Sequence, residues 1–154
     1  MSAESRFANL NLQLPPAPKA MGLYRPIVMV GNLAYLSGHL PLLPDGTLLC
    51  GRLGDDLDTT NGYQAARQTG LATLATLREH CGSLDRVKRL VKTFGLVNSA
   101  VKFTDQPAVI NGFSELMRDV FGEDSGIAAR SAVGAASLPG GVAVEVETIF
   151  ELSG

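Results

Sequence analysis

The run Val142 to Phe150, VAVEVETIF, constrains this chain more than any other stretch, because it alternates like a strand and yet carries carboxylates on one side. Val142, Val144 and Val146 fall on one face, and Ala143, Glu145 and Glu147 on the other. If both faces are covered, the glutamates must sit at a polar interface or in a polar pocket, since an unpaired buried carboxylate is prohibitively costly. Just ahead, Ser131 to Ser137 reads as a second apolar strand, and Leu138-Pro139-Gly140-Gly141 reads as the turn of a hairpin joining the two. Pro139 presets the torsion wanted at the first central turn position, and Gly140 supplies the positive φ wanted at the second. Arg130 opens this unit, so an arginine and a carboxylate near one hairpin mark a candidate site.

The rest of the chain supplies few elements with which to cover that strand. Met1 to Met21 is polar and then proline-rich (Pro15, Pro16, Pro18), and is expected to run as an extended arm over the surface of a domain spanning 22–154. Ile27 to Val30 and Leu33 to Ser37 form a first hairpin across Gly31-Asn32. Pro41 to Asp56 is rich in turn formers and has room for a short strand at Leu48 to Cys50. Asp58, Thr59 and Thr60 are capping types, and Tyr63, Ala66, Gly70, Leu74, Leu77 and Cys81 then recur at helical spacing until Gly82. Val87 to Asn98 has apolar residues on both alternating sets, Leu90, Phe94 and Leu96 on one and Val91 and Val97 on the other, as in a strand covered on both faces. A second helix starts at Thr104-Asp105 before Pro107, carries a stripe of Val109, Phe113, Leu116, Met117, Val120 and Phe121, and stops at Gly122.

Two amphipathic helices cover one face of a sheet but not both. The second face therefore needs another cover, for which a homo-oligomer is the simplest answer. The chain is long enough to do this without metal or disulfide support: 154 residues, 45% hydrophobic and 18% charged, describe one globular domain. Cys50 and Cys81 form no CxxC pair, so reduced thiols in a cytoplasmic setting are expected rather than a zinc site or a disulfide. The net charge of −2 offers no basic field for a nucleic-acid backbone, so no nucleic-acid partner is expected. No run approaches the roughly 20 apolar residues needed to span a bilayer, and no signal peptide is visible.

Ala129-Arg130-Ser131 followed by a small-residue strand and LPGGVAVEVE resembles the carboxy-terminal signature of the RidA/YjgF family of small trimeric imine and enamine deaminases. Gly22-Leu23-Tyr24, Tyr35-Leu36-Ser37-Gly38-His39-Leu40-Pro41, Val91-Lys92-Thr93 and Asn111 fall in the same order, so the likeness covers about Gly22 to Leu152. The resemblance implies a chorismate-mutase-like α+β subunit with a mixed sheet and two helices packed on one face. Three such subunits close around a pseudo-barrel, with sites in the clefts between neighbours. It implies hydrolysis of small 2-imino or enamine acids to 2-oxo acids and ammonia, with no cofactor and no metal. A non-catalytic trimer that binds small carboxylates, and an endoribonuclease, are the competing readings.

By that resemblance Arg130 receives the substrate carboxylate in its planar fork, against the plain alternative of an interface ion pair with Glu145 or Glu147. Glu145 positions or activates the hydrolytic water, and Glu147, on the same face, is its substitute. Tyr24 closes the pocket, Ser37 and Gly38 let the backbone approach the ligand, and Asn111 and Ala132 complete the lining. His39 follows Gly38 within reach of the pocket, whereas His80 lies near a helix end, where solvent and the helix dipole favour it. The chain departs from the family pattern at Ala132, where a cysteine is usual, and at Ile127-Ala128, where Phe-Pro is usual. The Leu42 to Asp58 loop and the amino-terminal arm are also longer than in typical members.

Overall fold

Residues 1–154 are described by a computed structural model, in which a five-stranded mixed sheet carries its helices on one face. The strands are β1 (Ile27–Val30), β2 (Leu33–His39), β3 (Val87–Asn98), β4 (Ala129–Ala135) and β5 (Val144–Leu152), in the spatial order β1-β2-β5-β3-β4. Between them lie α1 (Ala3–Asn9), α2 (Thr59–Cys81), α3 (Gln106–Phe121) and the single turn α4 (Glu123–Gly126). The first hairpin is as read, with Val30 opposite Leu33 across Gly31-Asn32. The Asp58 carboxylate caps α2 by accepting from the Asn61 N–H at 2.8 Å, and Gly82 ends that helix in the left-handed region.

The second hairpin is corrected. β4 does not pair with β5 but runs parallel to β3, while β5 lies antiparallel between β2 and β3. The turn itself has the expected chemistry: the Gly141 N–H donates to the Leu138 carbonyl at 3.0 Å, with Gly140 at φ 65°. It redirects the chain around the end of β3 instead of folding it back. Ser99 N–H donates to the Ala135 carbonyl and Asn98 N–H to the Ala143 carbonyl, so the tip of β3 is wedged between the two arms. Local turn signals fix the bend but not which strand enters the gap.

Burial along β5 alternates without a break: Val144, Val146, Thr148, Phe150 and Leu152 are buried, and Glu145, Glu147, Ile149 and Glu151 are less so. The buried set meets α2 and α3, where Leu74, Leu77, Phe113, Leu116 and Met117 are fully enclosed and Phe121 meets Phe150 edge to face at 6.0 Å. β3 departs from simple alternation. A register shift between Leu90 and Lys92 puts Leu90 and Val97 together on the buried side, leaving Val91 exposed and Phe94 and Leu96 half-buried. Val28, Tyr35, Lys92, Phe94, Glu147 and Ile149 line an open groove on the other face, so in the single chain that face is uncovered.

The amino-terminal arm is not extended throughout. Ser2 caps α1, and Phe7 from that helix is buried beneath the Arg78 guanidinium, 5.0 Å above its ring. Glu4 pairs with Arg78 and accepts the Leu84 N–H at 2.8 Å, tying the arm to the end of α2. A polar, proline-containing stretch hides this because a single aromatic, Phe7, does the docking. Leu48 to Cys50 forms isolated bridges to Leu42 and Val142 rather than a strand. No helix is long and apolar enough to cross a membrane.

Candidate active site

β2 and β5 position the first group of residues. Between Leu36 and His39 their register slips, so Ser37 and Gly38 sit in a bulge opposite β5. Gly38 lies directly against Glu145: a Cβ there would come within 2.8 Å of the glutamate Cδ and 3.0 Å of its Cγ. Only a glycine permits that contact. Ser37 donates its hydroxyl to the Arg25 carbonyl at 2.6 Å, leaving its lone pairs for a ligand. Tyr24, half-exposed, accepts the Met21 N–H at 3.2 Å, leaving its phenolic proton to donate. Tyr24, Ser37, Gly38 and Glu145 together line a cleft of about 740 Å³. Burial, reinforced by the charge of Glu147, pushes the Glu145 carboxyl above the usual carboxylate range.

His39 borders this cleft, but its ring is committed to the core. It is 3% exposed, with Nδ1 at 2.7 Å from the Ser37 carbonyl and Nε2 at 2.7 Å from the Thr76 hydroxyl. A carbonyl only accepts, so Nδ1 carries the proton and the neutral ring accepts from Thr76 at Nε2. Burial lowers its pKa, which keeps it neutral. His80 bonds the Thr76 carbonyl and is exposed.

Arg130 belongs to a second group. Its guanidinium donates to Asn111 Oδ1 at 2.8 Å and to Ser114 Oγ at 3.2 Å, both on α3. Within one chain Arg130 therefore makes no ion pair with Glu145 or Glu147, and its guanidinium is held by α3 instead. Arg130 pairs with Thr93 and Ala132 with Gly95, and β4 directs both side chains to the helix side, where Ala132 packs on the core. Asn111 is half-buried and orients the arginine rather than reaching the Glu145 cleft. Ser114 escaped sequence reasoning, although its spacing from Asn111 on one helix face is the signal that finds it.

A family model described as "YjgF/chorismate mutase-like, putative endoribonuclease" matches residues 4–143. The chain belongs to this family. Protein TCP17 of Trypanosoma cruzi is 43% identical to it over 144 residues, covering 94% of this chain and 90% of that one. A 2-iminobutanoate/2-iminopropanoate deaminase of Dermatophagoides farinae is 29% identical over 140 residues, covering 90% and 92%. Among solved structures, Atu1372 of Agrobacterium tumefaciens, of unknown function, superposes with a TM-score of 0.89 at 37% identity, covering 98% of this chain and 94% of that one.

The YjgF-like signature residues thus divide between two places on one subunit. Tyr24, Ser37, Gly38 and Glu145 share a cleft on one side of the sheet. Arg130, Asn111 and Ala132 lie on the other side, along edge strand β4. Glu147 turns from the cleft into the open groove beside Lys92 and Phe94, which leaves Glu145 as the cleft's carboxylate.

Proposed function

We propose that this YjgF-family protein hydrolyses small reactive 2-imino and enamine acids to 2-oxo acids and ammonia, in clefts between the copies of a homotrimer. The observation that carries the reading is Glu145, a carboxylate with raised proton affinity, held against Gly38 in a cleft where Tyr24 keeps a free donor and Ser37 a free acceptor. A carboxylate whose proton affinity burial has raised is a stronger base than an exposed one. The deaminase named among the relatives agrees with this chemistry.

The reaction needs little machinery. Water adds to the C=N carbon while its proton passes to Glu145, which delivers it to the nitrogen as the carbinolamine forms. The carbinolamine then collapses to the 2-oxo acid as ammonia leaves. Orientation is the larger task, and a guanidinium fork fixed by Asn111 and Ser114 is suited to a carboxylate. Because Arg130 and Glu145 serve opposite sides of one subunit, a shared substrate requires them from different copies. That need agrees with the open sheet face and the edge position of β4.

The deciding measurement is ammonia release from freshly generated 2-iminopropanoate and 2-iminobutanoate. The protein is expected to accelerate it well above the rate in buffer alone. Binding of 2-oxo acids without any acceleration would instead mark a carboxylate-binding trimer, and cleavage of single-stranded RNA lost in an Arg130 or Glu145 variant would favour the endoribonuclease.

A further inference from the structure

β2 changes face where it meets the site. Ala34 and Leu36 are buried against the helices, so an unbroken strand would next bury Gly38 and turn His39 outwards. The slip in register reverses that. Leu36 stands opposite Thr148 and His39 opposite Val146, so two residues, Ser37 and Gly38, face Glu147 alone. His39 is thereby turned inwards, 3% exposed, and Gly38 is carried round to the side of Glu145.

The ring of His39 holds the strand in this state. Ser37 N–H keeps its place beside β1 by donating to the Pro26 carbonyl at 2.9 Å, while the Ser37 carbonyl takes the Nδ1 proton of His39 at 2.7 Å. The other ring nitrogen accepts the Thr76 hydroxyl of α2, also at 2.7 Å. Both ring bonds need the extra residue, because a strand without it sends the imidazole away from α2. Leaving either partner unmet in the interior is costly. Burial keeps the ring neutral despite the bond to Ser37, and the exposed His80, which bonds the Thr76 carbonyl at 2.9 Å, disfavours charge on it as well. We propose that His39 and Thr76 are positioning residues for the reaction: the imidazole, anchored on α2, locks the bulge that sets Gly38 against the Glu145 carboxyl. Their effect on turnover rests on the deaminase reading, whereas their effect on where Glu145 sits does not.

The Glu145 carboxyl reports the lock whether or not an imine is turned over. Burial raises its proton affinity, so in protein carrying 13C-labelled glutamate its titration, assigned by its loss in Glu145→Gln, should lie above the ordinary 4.5. His39→Leu, which fills similar space and bonds neither partner, is expected to return that titration toward 4.5 as the glutamate turns to solvent. It is expected to lower kcat for 2-iminobutanoate by about 10-fold while 2-oxobutanoate affinity changes by less than about 2-fold. His39→Asn places an amide nitrogen where Nδ1 stands, and is expected to restore the titration and most of kcat. Where His39→Leu does not assemble, Thr76→Val, which loses the hydroxyl alone, is expected to move the titration the same way. An unmoved Glu145 titration in the folded variant, an asparagine no better than leucine, or a loss falling on affinity instead of kcat would overturn the positioning role. Imine left untouched by the wild type, with the titration moving as expected, would retire the deaminase and leave the lock standing.

Discussion

Arg130 and Glu145 project from opposite sides of the same sheet: the arginine is held on the helix side by Asn111 at 2.8 Å, while the glutamate packs against Gly38 on the other. β3 separates their strands, so the two cannot grip one small substrate from a single chain. This geometry makes the intersubunit site testable by mixing. Arg130→Lys and Glu145→Gln subunits, each inactive alone, are expected to regain about one quarter of wild-type activity when unfolded together and reassembled one to one, because a quarter of random interfaces pair two intact residues. Mixtures as inactive as the parents, or a monomer by light scattering at micromolar concentration, would reject the arrangement.

The same two variants are expected to fail differently when tested separately. Arg130→Lys keeps the charge but loses the fork that Asn111 and Ser114 orient, so its loss should fall on the binding of 2-oxobutanoate. Glu145→Gln keeps the shape and removes the base, so it should hold the 2-oxo acid and slow turnover by about 10²-fold or more. Titration calorimetry beside steady-state ammonia release separates the two. Unaltered mimic affinity in an assembled Arg130→Lys trimer would remove the arginine from recognition.

Gly38→Ala tests how Glu145 is held. The added methyl meets the carboxylate at 2.8 Å, and the flexible glutamate, not the backbone, is what must give way. Turnover is expected to fall by about 10-fold or more, since a displacement on the order of 1 Å at a catalytic group carries such losses. The melting temperature should change little. A fully active Gly38→Ala enzyme would show that the glutamate's place is not set by this contact.

Raised proton affinity at Glu145 predicts two opposite pH effects. A base at Glu145 must be ionised to act, so kcat/KM should rise with pH through a value above the ordinary glutamate 4.5. Stability runs the other way. The folded state holds this proton more tightly than the unfolded chain, so the group's contribution is complete below 4.5 and is lost as pH rises through its folded value. Glu145→Gln should therefore melt higher than wild type at pH 7.5 and converge with it near pH 4. Melting curves across that range decide the sign.

The amino-terminal helix should prove part of the folded unit. Phe7 is 6% exposed beneath Arg78, and Phe7→Ala is expected to cost about 3 kcal/mol, as for other buried phenylalanines. Urea denaturation at constant slope measures it. A cost below about 0.5 kcal/mol would mean that α1 is only loosely applied to the surface.

Where α2 and α3 begin and end was legible in the residues, because Asp58, Gly82, Pro107 and Gly122 act within a few residues of themselves. So was the face on which Glu145 and Glu147 stand, since alternation along a strand is local geometry. The family signature named candidate site residues, but not their partners. That β5 enters between β2 and β3, so that a Pro-Gly turn circles the tip of β3 instead of closing a hairpin, is decided by long-range pairing. The same tertiary choice placed Arg130 with Asn111 and Ser114, and Glu145 with Gly38. A single buried phenylalanine docked an arm whose composition reads as extended. Sequence determines what lies within a turn or a strand of itself, whereas strand order and side-chain partners depend on which distant surfaces exclude water together.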